Sequence, residues 1–380
     1  MASPPALASN ESRRLLELAR RDRDAAVAAL AGTSPEEQVA LVCETPLADR
    51  ARLLALLPRP EEVIPRLPEA ELCFLVKAQG LSDAGWILAL ATPEQIVAGV
   101  DLDVWQGHEV DTTALSEWLA ALADADQPSL LRAAQALDAE LLVLLLRSRI
   151  AVVQKPDDDE GWQPPDGSQT LEGRFHYVAL AEDDDLADVT SLLKALFEED
   201  YWSYFRLMQG TIWELTSDTE EWAYRWRTGR LTDLGFPPWD EAMGIYRFVA
   251  PADRAKLPEG ENPLDVGAWS LPVWMPSLPE AQGPAQRIFR AIAELDPEER
   301  SSAFYAFVAL ANKVAVADKL PLSDAESTPR AIEKAARFAS DGLALVAEEH
   351  GLTDVEVLRR VTLERLFTVG ANLDPVSARR

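Results

Sequence analysis

The chain has 380 residues, of which 48% are hydrophobic, so it is long enough to bury a core in two or three domains or in one extended helical array. Its 64 acidic residues outnumber its 36 basic residues and give a formal net charge of −28. Such a surface repels phosphate groups, so the composition excludes nucleic acid and anionic lipid as predicted partners. It favours a protein partner whose surface carries Lys or Arg.

The first thirty residues lack the basic stretch and apolar run of a signal peptide. The two most apolar runs, 141–146 and 304–317, are too short to cross a bilayer. Cys43 and Cys73 each lie among apolar residues, which is typical of ordinary buried cysteines rather than of a disulfide framework. The sequence therefore predicts a cytoplasmic protein without membrane insertion.

Short helices separated by prolines are predicted between residues 34 and 122. Ser34 and Thr92 each precede a proline and are followed three residues later by Glu37 and Gln95, which is the pattern of a capping box. The prolines between these two starts limit each helix to about ten residues; they are Pro46, Pro58, Pro60, Pro65 and Pro68. Helices so short need neighbours for stability, so the pattern predicts a superhelical stack.

A change in composition marks the middle of the chain. Residues 154–173 combine prolines, glycines and an acidic run, which is typical of an exposed loop. Alternating residues from Arg174 to Ala181 predict a strand with Phe175 and Tyr177 on one face and His176 on the other, and residues 150–153 are its expected partner in a hairpin. We expect a short-helix domain (1–153), an acidic loop with a small β element (154–181) and a C-terminal helical domain (182–380).

The predicted helices lengthen after residue 182. The apolar spacing predicts one helix of about twenty residues from 189 to 208 and a second that ends near Gly229. Further helices are expected to begin near Trp239 and to span 297–317, 328–349 and 353–368, with a proline-rich insertion at 251–284. The predicted fold class is mainly α: a superhelix of short helices followed by a bundle of longer helices, with a small β element between them.

Asn312 and Lys313 interrupt the apolar helix predicted at 297–317. A polar side chain in such a helix must find hydrogen-bond partners, because leaving it unpaired in a core is unfavourable. We expect a structural network with Asp318 or with an acid on a neighbouring helix.

Three arginines lie close together in the segment 224–233, which is unusual in so acidic a chain. Guanidinium groups bind phosphate and carboxylate well, and tryptophans beside them make good binding surfaces. The candidate ligand-binding residues are Trp222, Arg225, Trp226, Arg227, Arg230 and Asp233. The sequence favours a structural interpretation over ligand binding, because Glu221 and Asp233 can pair with these arginines, and the spacing of Trp222 and Trp226 predicts a buried core stripe.

Motifs for catalysis and for metal binding are missing from the sequence. It contains no nucleophile elbow, Walker loop, dinucleotide-binding glycine motif or His-Glu-x-x-His. The three histidines are isolated, and the acidic runs 157–160 and 182–185 do not fit a calcium loop. The sequence therefore favours a non-catalytic protein with no metal and no cofactor.

Two resemblances follow from these patterns. Residues 34–122, with the step from Leu53 to Pro58, resemble the N-terminal superhelical domain of the bacterial magnesium transporter family, which is cytosolic, acidic and responsive to magnesium. The chain lacks that family's other regulatory domains and its membrane helices, so magnesium gating does not carry over. The segments 224–231, 233–238 and 362–367 are similar to signatures of an uncharacterised bacterial family, domain of unknown function 6178, which would span nearly the whole chain and implies no activity.

Three functional hypotheses result. The first is a cytoplasmic scaffold or regulatory protein that binds a protein partner through a helical surface. The second is the binding of an acidic small molecule, or an enzyme acting on one, at Arg225 to Arg230. The third is divalent-cation sensing through acidic helix faces. The sequence leaves the oligomeric state open.

Overall fold

The computed structural model describes residues 6–158, 161–181, 185–257, 286–324 and 327–373. These residues form 20 α-helices and two small antiparallel sheets, so the predicted mainly α fold is confirmed. Their contacts divide the chain into two compact units. One unit runs from Arg59 to Arg230, and the other joins the residues up to Pro58 with those from Leu231 on. This division does not follow the boundaries at 153 and 181 that composition suggested.

The elements follow one another in this order: α1 (Ala6–Arg21), α2 (Arg23–Ala31), α3 (Pro35–Glu44), α4 (Leu47–Leu54), α5 (Pro60–Val63), α6 (Glu69–Gln79), α7 (Gly85–Leu88), α8 (Pro93–Asp103), β1 (Trp105–Gln106), β2 (Glu109–Val110), α9 (Thr112–Ala125), α10 (Gln127–Ala136), α11 (Ala139–Arg149), β3 (Ile150–Gln154), β4 (Phe175–Ala179), α12 (Ala187–Glu199), α13 (Tyr201–Trp213), α14 (Thr216–Asp233), α15 (Trp239–Ala242), α16 (Arg287–Ala293), α17 (Pro297–Ala317), α18 (Ser327–His350), α19 (Asp354–Leu358) and α20 (Leu363–Ala371).

Both predicted capping boxes are present. The Ser34 hydroxyl accepts from the Glu37 amide while the Glu37 carboxylate accepts from the Ser34 amide, and Thr92 and Gln95 do the same at the start of α8. The Gln95 amide nitrogen also donates to the carbonyls of Ile64 (2.8 Å) and Leu67 (2.7 Å). This one side chain therefore caps the start of α8 and joins it to the backbone at residues 64–67, which precede α6.

The predicted hairpin between 150–153 and the strand near Phe175 is confirmed. β3 and β4 pair antiparallel, from Ile150 opposite Ala179 to Gln154 opposite Phe175. His176, on the opposite face of β4 from Phe175 and Tyr177, is buried as they are. The Trp162 ring from the loop between the strands covers His176 at a centroid distance of 4.9 Å, so both faces of β4 are shielded there.

Helices α18 and α20 pack with almost no space between their backbones. A methyl group at Gly342 would lie 1.9 Å from the carbonyl oxygen of Leu366, and one at Gly370 would lie 1.9 Å from that of Phe338. Both glycines are therefore required by this crossing. The single helix predicted at 353–368 is wrong, since α19 ends at Leu358 and Thr362 caps a new helix, α20.

Two further predictions about helix ends are wrong. The helix expected from 189 to 208 is interrupted at Asp200, whose carboxylate accepts from the Ser203 amide and caps α13. Helix α14 continues past Gly229 to Asp233 and stops before Gly235, which has a φ of 84°. Within the proline-rich insertion, residues 258–284 lie outside the described residues.

The two polar residues that interrupt the apolar sequence of α17, Asn312 and Lys313, form structural contacts, as predicted. Asn312 donates to the Gly235 carbonyl at 3.2 Å, and the Lys313 ammonium lies 2.8 Å from Glu364 on α20 and 3.6 Å from Glu241 on α15. Asp318 takes no part in these contacts, because it pairs with Lys334 on α18 at 2.6 Å.

Candidate functional site

Helix α14 carries all six candidate ligand-binding residues, and five of them lie on two different faces. Its buried face includes Thr219, Ala223 and Leu231, and the side chains of Arg227 and Arg230 lie on that side. Trp222, Arg225 and Trp226 lie on the opposite, exposed face. The helix therefore turns Arg227 and Arg230 inward, and Arg225 and the two tryptophans outward.

Arg230 is held by two carboxylates. Its guanidinium donates to Asp101 on α8 at 2.6 and 3.0 Å and to Asp138, which precedes α11, at 3.0 and 2.7 Å. Burial alone would lower the pKa of Arg230, but the hydrogen bonds to both carboxylates outweigh it and raise that pKa above its ordinary value. Asp101 is only 1% exposed, and this pairing offsets part of the desolvation of its charge; burial still raises the pKa of Asp101 above its ordinary value.

Arg227 reinforces the same contact. Its Nε donates to the backbone carbonyl of Asp101 at 2.8 Å, and its guanidinium lies over the Trp105 ring, 5.0 Å from the centroid. Burial lowers the pKa of Arg227 below its ordinary value. Arg227 and Arg230 together fasten α14 to α8 and to the start of α11.

The outward face of α14 is aromatic. Trp222 is 45% exposed and Trp226 is 50% exposed, so the interpretation of these residues as core is wrong. Their rings stack with a centroid distance of 5.8 Å and an interplanar angle of 26°. The Arg225 guanidinium lies over the Trp222 ring at 5.2 Å, and within the described part of the chain it pairs with no carboxylate. Asp233 is exposed at the end of the helix.

The turn between α13 and α14 exposes two further apolar side chains, Trp213 (69%) and Leu215 (67%). Arg147, at the end of α11, holds this turn. Its guanidinium donates to the carbonyls of Gly210 (3.2 Å), Thr211 (3.0 Å) and Glu214 and to the Thr216 hydroxyl (2.9 Å). The Gly210 carbonyl also accepts from the Glu214 amide, whereas the bonds to Thr211 and Glu214 satisfy carbonyls that the end of α13 leaves without a backbone donor. These contacts fix the turn.

Sequence reasoning missed Arg147 and the exposed turn. The available signal was the position of Arg147 at the end of a strongly apolar helix, where a charged side chain must find acceptors. We call the exposed set Trp213, Leu215, Trp222, Arg225 and Trp226 the tryptophan surface. All of it belongs to the Arg59–Arg230 unit.

The other chemically reactive groups lie in ordinary structural surroundings. Cys43 and Cys73 are buried and form no disulfide, as predicted, and burial raises the pKa of the Cys73 thiol. Across the described ranges, no three His, Cys, Asp or Glu side chains come together in a way that could hold a metal ion. No described helix combines the length and apolar character needed to span a membrane.

Fold and surface together define a mainly α-helical protein that presents exposed tryptophans on a helix and a turn held by internal arginine contacts. The chain belongs to a family of unknown function, DUF6178, and the match covers residues 28–374. No curated protein and no solved structure matches the chain.

Proposed function

We propose that this chain is a non-catalytic cytoplasmic protein that binds a protein partner through the tryptophan surface. The observation that carries the proposal is the exposure of Trp213, Trp222 and Trp226 on a helix and a turn that are themselves firmly held. Exposed aromatic side chains beside an arginine are the residues that contribute most to binding at protein interfaces.

Rigidity supports the proposal as much as exposure does. A side chain that is already fixed loses less conformational entropy on binding, so its burial contributes more to affinity. Arg147 fixes the turn below Trp213, and the contacts of Arg227 and Arg230 with Asp101 fix the helix below Trp222 and Trp226. These arginines stabilise the surface from the inside.

The anion-binding alternative has less support from the same geometry. Arg230 is saturated by two carboxylates and Arg227 is directed to a carbonyl and a ring, so Arg225 is the one member of the three that faces outward. A single exposed guanidinium over a tryptophan suits a protein interface better than a site for a small anion.

Photo-crosslinking in the native host tests the proposal. A photoreactive phenylalanine analogue is placed at 213 or 226, and the control position is Glu117 on α9, which is also exposed and lies in the same unit. We expect an adduct of discrete mass from both surface positions and none from position 117. Equal labelling at all three positions, or none, would contradict a docking role for this surface.

A further inference from the structure

We propose that the occupant of the tryptophan surface is a segment of another protein that carries exposed lysine or arginine side chains. This partner class rests on the proposed function, because it names the chemistry that binds at the same surface. Two observations support it: the charges that lie beside the tryptophans on α14, and the contact that Arg225 already makes with one of the indole rings.

The exposed charges of α14 are mainly acidic. Asp218, Glu220 and Glu221 are exposed in its first half and Asp233 is exposed at its end, whereas Arg225 is its one exposed base. Within the described part of the chain, none of these four carboxylates forms an ion pair with a base. The helix therefore presents unpaired negative charge that a cationic partner can complement.

One of these carboxylates lies in line with the two tryptophans. Asp218, Trp222 and Trp226 follow one another at intervals of four residues, so their side chains lie on one side of the helix. From residue 218 to residue 226 the helix rises by about 12 Å. A segment that binds along this side would contact a carboxylate and two indole rings in succession.

Arg225 shows how a cation can bind to this side of the helix. Its guanidinium lies over the Trp222 ring, 5.2 Å from the centroid, which is a cation–π contact. Trp226 is 50% exposed, and no cationic group of the described chain lies over its ring. The Trp226 indole can therefore give a partner's guanidinium or ammonium group the contact that Trp222 already has.

The same charges disfavour other occupants. A second copy of this chain would place like carboxylates opposite one another, and an acidic or phosphorylated segment would meet more carboxylates than bases on this helix. A wholly apolar segment would desolvate the carboxylates beside it without supplying a cation. A lysine or arginine side chain suits both parts of the surface, since its methylene groups can cover an indole while its charged end reaches a carboxylate.

Two labelled peptides that differ only in charge test the proposal on the full chain. In one peptide arginine alternates with serine, and in the other every arginine is replaced by citrulline, which has a neutral group of nearly the same shape. At physiological salt, fluorescence anisotropy should show that the arginine peptide binds at least about tenfold more tightly. Equal affinity of the two peptides would overturn the proposal.

Variants locate the binding, because a chain of net charge −28 attracts any cationic peptide. Trp226→Leu keeps an apolar side chain but removes the ring, and it should weaken binding of the arginine peptide about two- to fivefold, the range of an exposed cation–π contact. The double variant D218N/E221Q should weaken binding by about threefold or more, because it removes two unpaired carboxylates from the surface.

The matched control is the double variant D124N/E117Q, which makes the same change of charge at two exposed residues of α9 in the same unit. It should leave the affinity of the arginine peptide nearly unchanged. Thermal melts establish that every variant is folded. Equal losses for the two double variants would show attraction to the acidic chain as a whole and would reject the tryptophan surface as the basic-segment site.

Crosslinking separates the partner class from the docking function. If the photoreactive residues at 213 and 226 capture a partner while the two peptides bind equally, the docking function stands and a basic partner is rejected. An adduct of twice the mass of this chain identifies a second copy and likewise rejects a basic partner. No capture at either position rejects the docking function and the partner class together.

Discussion

The ion pairs of Arg230 show why α14 is oriented as it is. Asp101 is buried, and without Arg230 its carboxylate would be desolvated with much weaker compensation. A buried Asp101 carboxylate without a partner would cost several kcal/mol. This cost exceeds the free energy gained by burying one more tryptophan side chain. The tryptophans consequently lie on the outer side.

We expect Arg230→Ala to destabilise the fold by about 3 kcal/mol, because it leaves Asp101 buried beside only Arg227. The measurement is the shift of the urea unfolding midpoint. Arg225→Ala is the matched control on the same helix and should change stability by less than about 0.5 kcal/mol. Equal losses for both variants would contradict the assignment of Arg230 as the anchor.

Arg147 leads to a prediction about motion. Arg147→Ala removes the donors to the carbonyls of Gly210, Thr211 and Glu214, so amide hydrogen exchange in residues 210–216 should accelerate by at least about tenfold. Arg132→Ala is the control, since that side chain donates to Ala89 elsewhere in the same unit. Unchanged exchange in 210–216 would show that the turn is held by other contacts.

At the scale of elements, the crossing of α18 and α20 is the most demanding contact in its unit. Gly342→Ala should destabilise the protein by about 3 kcal/mol or prevent folding, because the added methyl overlaps a backbone carbonyl that cannot move alone. Gly229→Ala is the control, and it should stabilise by up to about 1 kcal/mol because its site is open and helical. Thermal unfolding of both variants gives the comparison.

The break between α12 and α13 leads to a dependence on pH. Hydrogen bonds from Ser203, first from its hydroxyl and then from its amide, lower the pKa of Asp200. The folded-state pKa lies below the unfolded one, so the cap stabilises the protein fully above the unfolded value, about 3.9, and less as the pH falls below it. Asp200→Ala should therefore cost about 1 kcal/mol at neutral pH and less in acid. An equal cost at every pH would contradict this account.

Elements that are set by hydrogen bonds between residues close in sequence could be predicted, and those set by distant contacts could not. Ser34 with Glu37 and Thr92 with Gln95 specify helix starts within four residues, and both predictions are confirmed. The break at Asp200 was missed because the apolar spacing continues through it, and only the cap shows where one helix ends. The orientation of α14 was missed because it depends on Asp101 and Asp138, which are distant in sequence.

At the scale of the whole molecule, charge is the dominant property. The net charge of −28 predicts that added salt raises the melting temperature by screening self-repulsion. No group of three metal-ligating side chains occurs in the described ranges, so magnesium should raise the melting temperature no more than sodium does at matched ionic strength. A larger rise with millimolar magnesium would support the cation-sensing hypothesis.

Under the proposed function, the two faces of α14 give the helix separate roles for folding and for recognition. Substitutions at Trp222 and Trp226 can alter what the surface binds while Arg227 and Arg230 continue to hold the helix in place. Substitutions at those arginines affect the fold before they affect recognition. The surface can therefore acquire a new partner by changing a few exposed side chains, with little risk to the stability of the molecule that presents it.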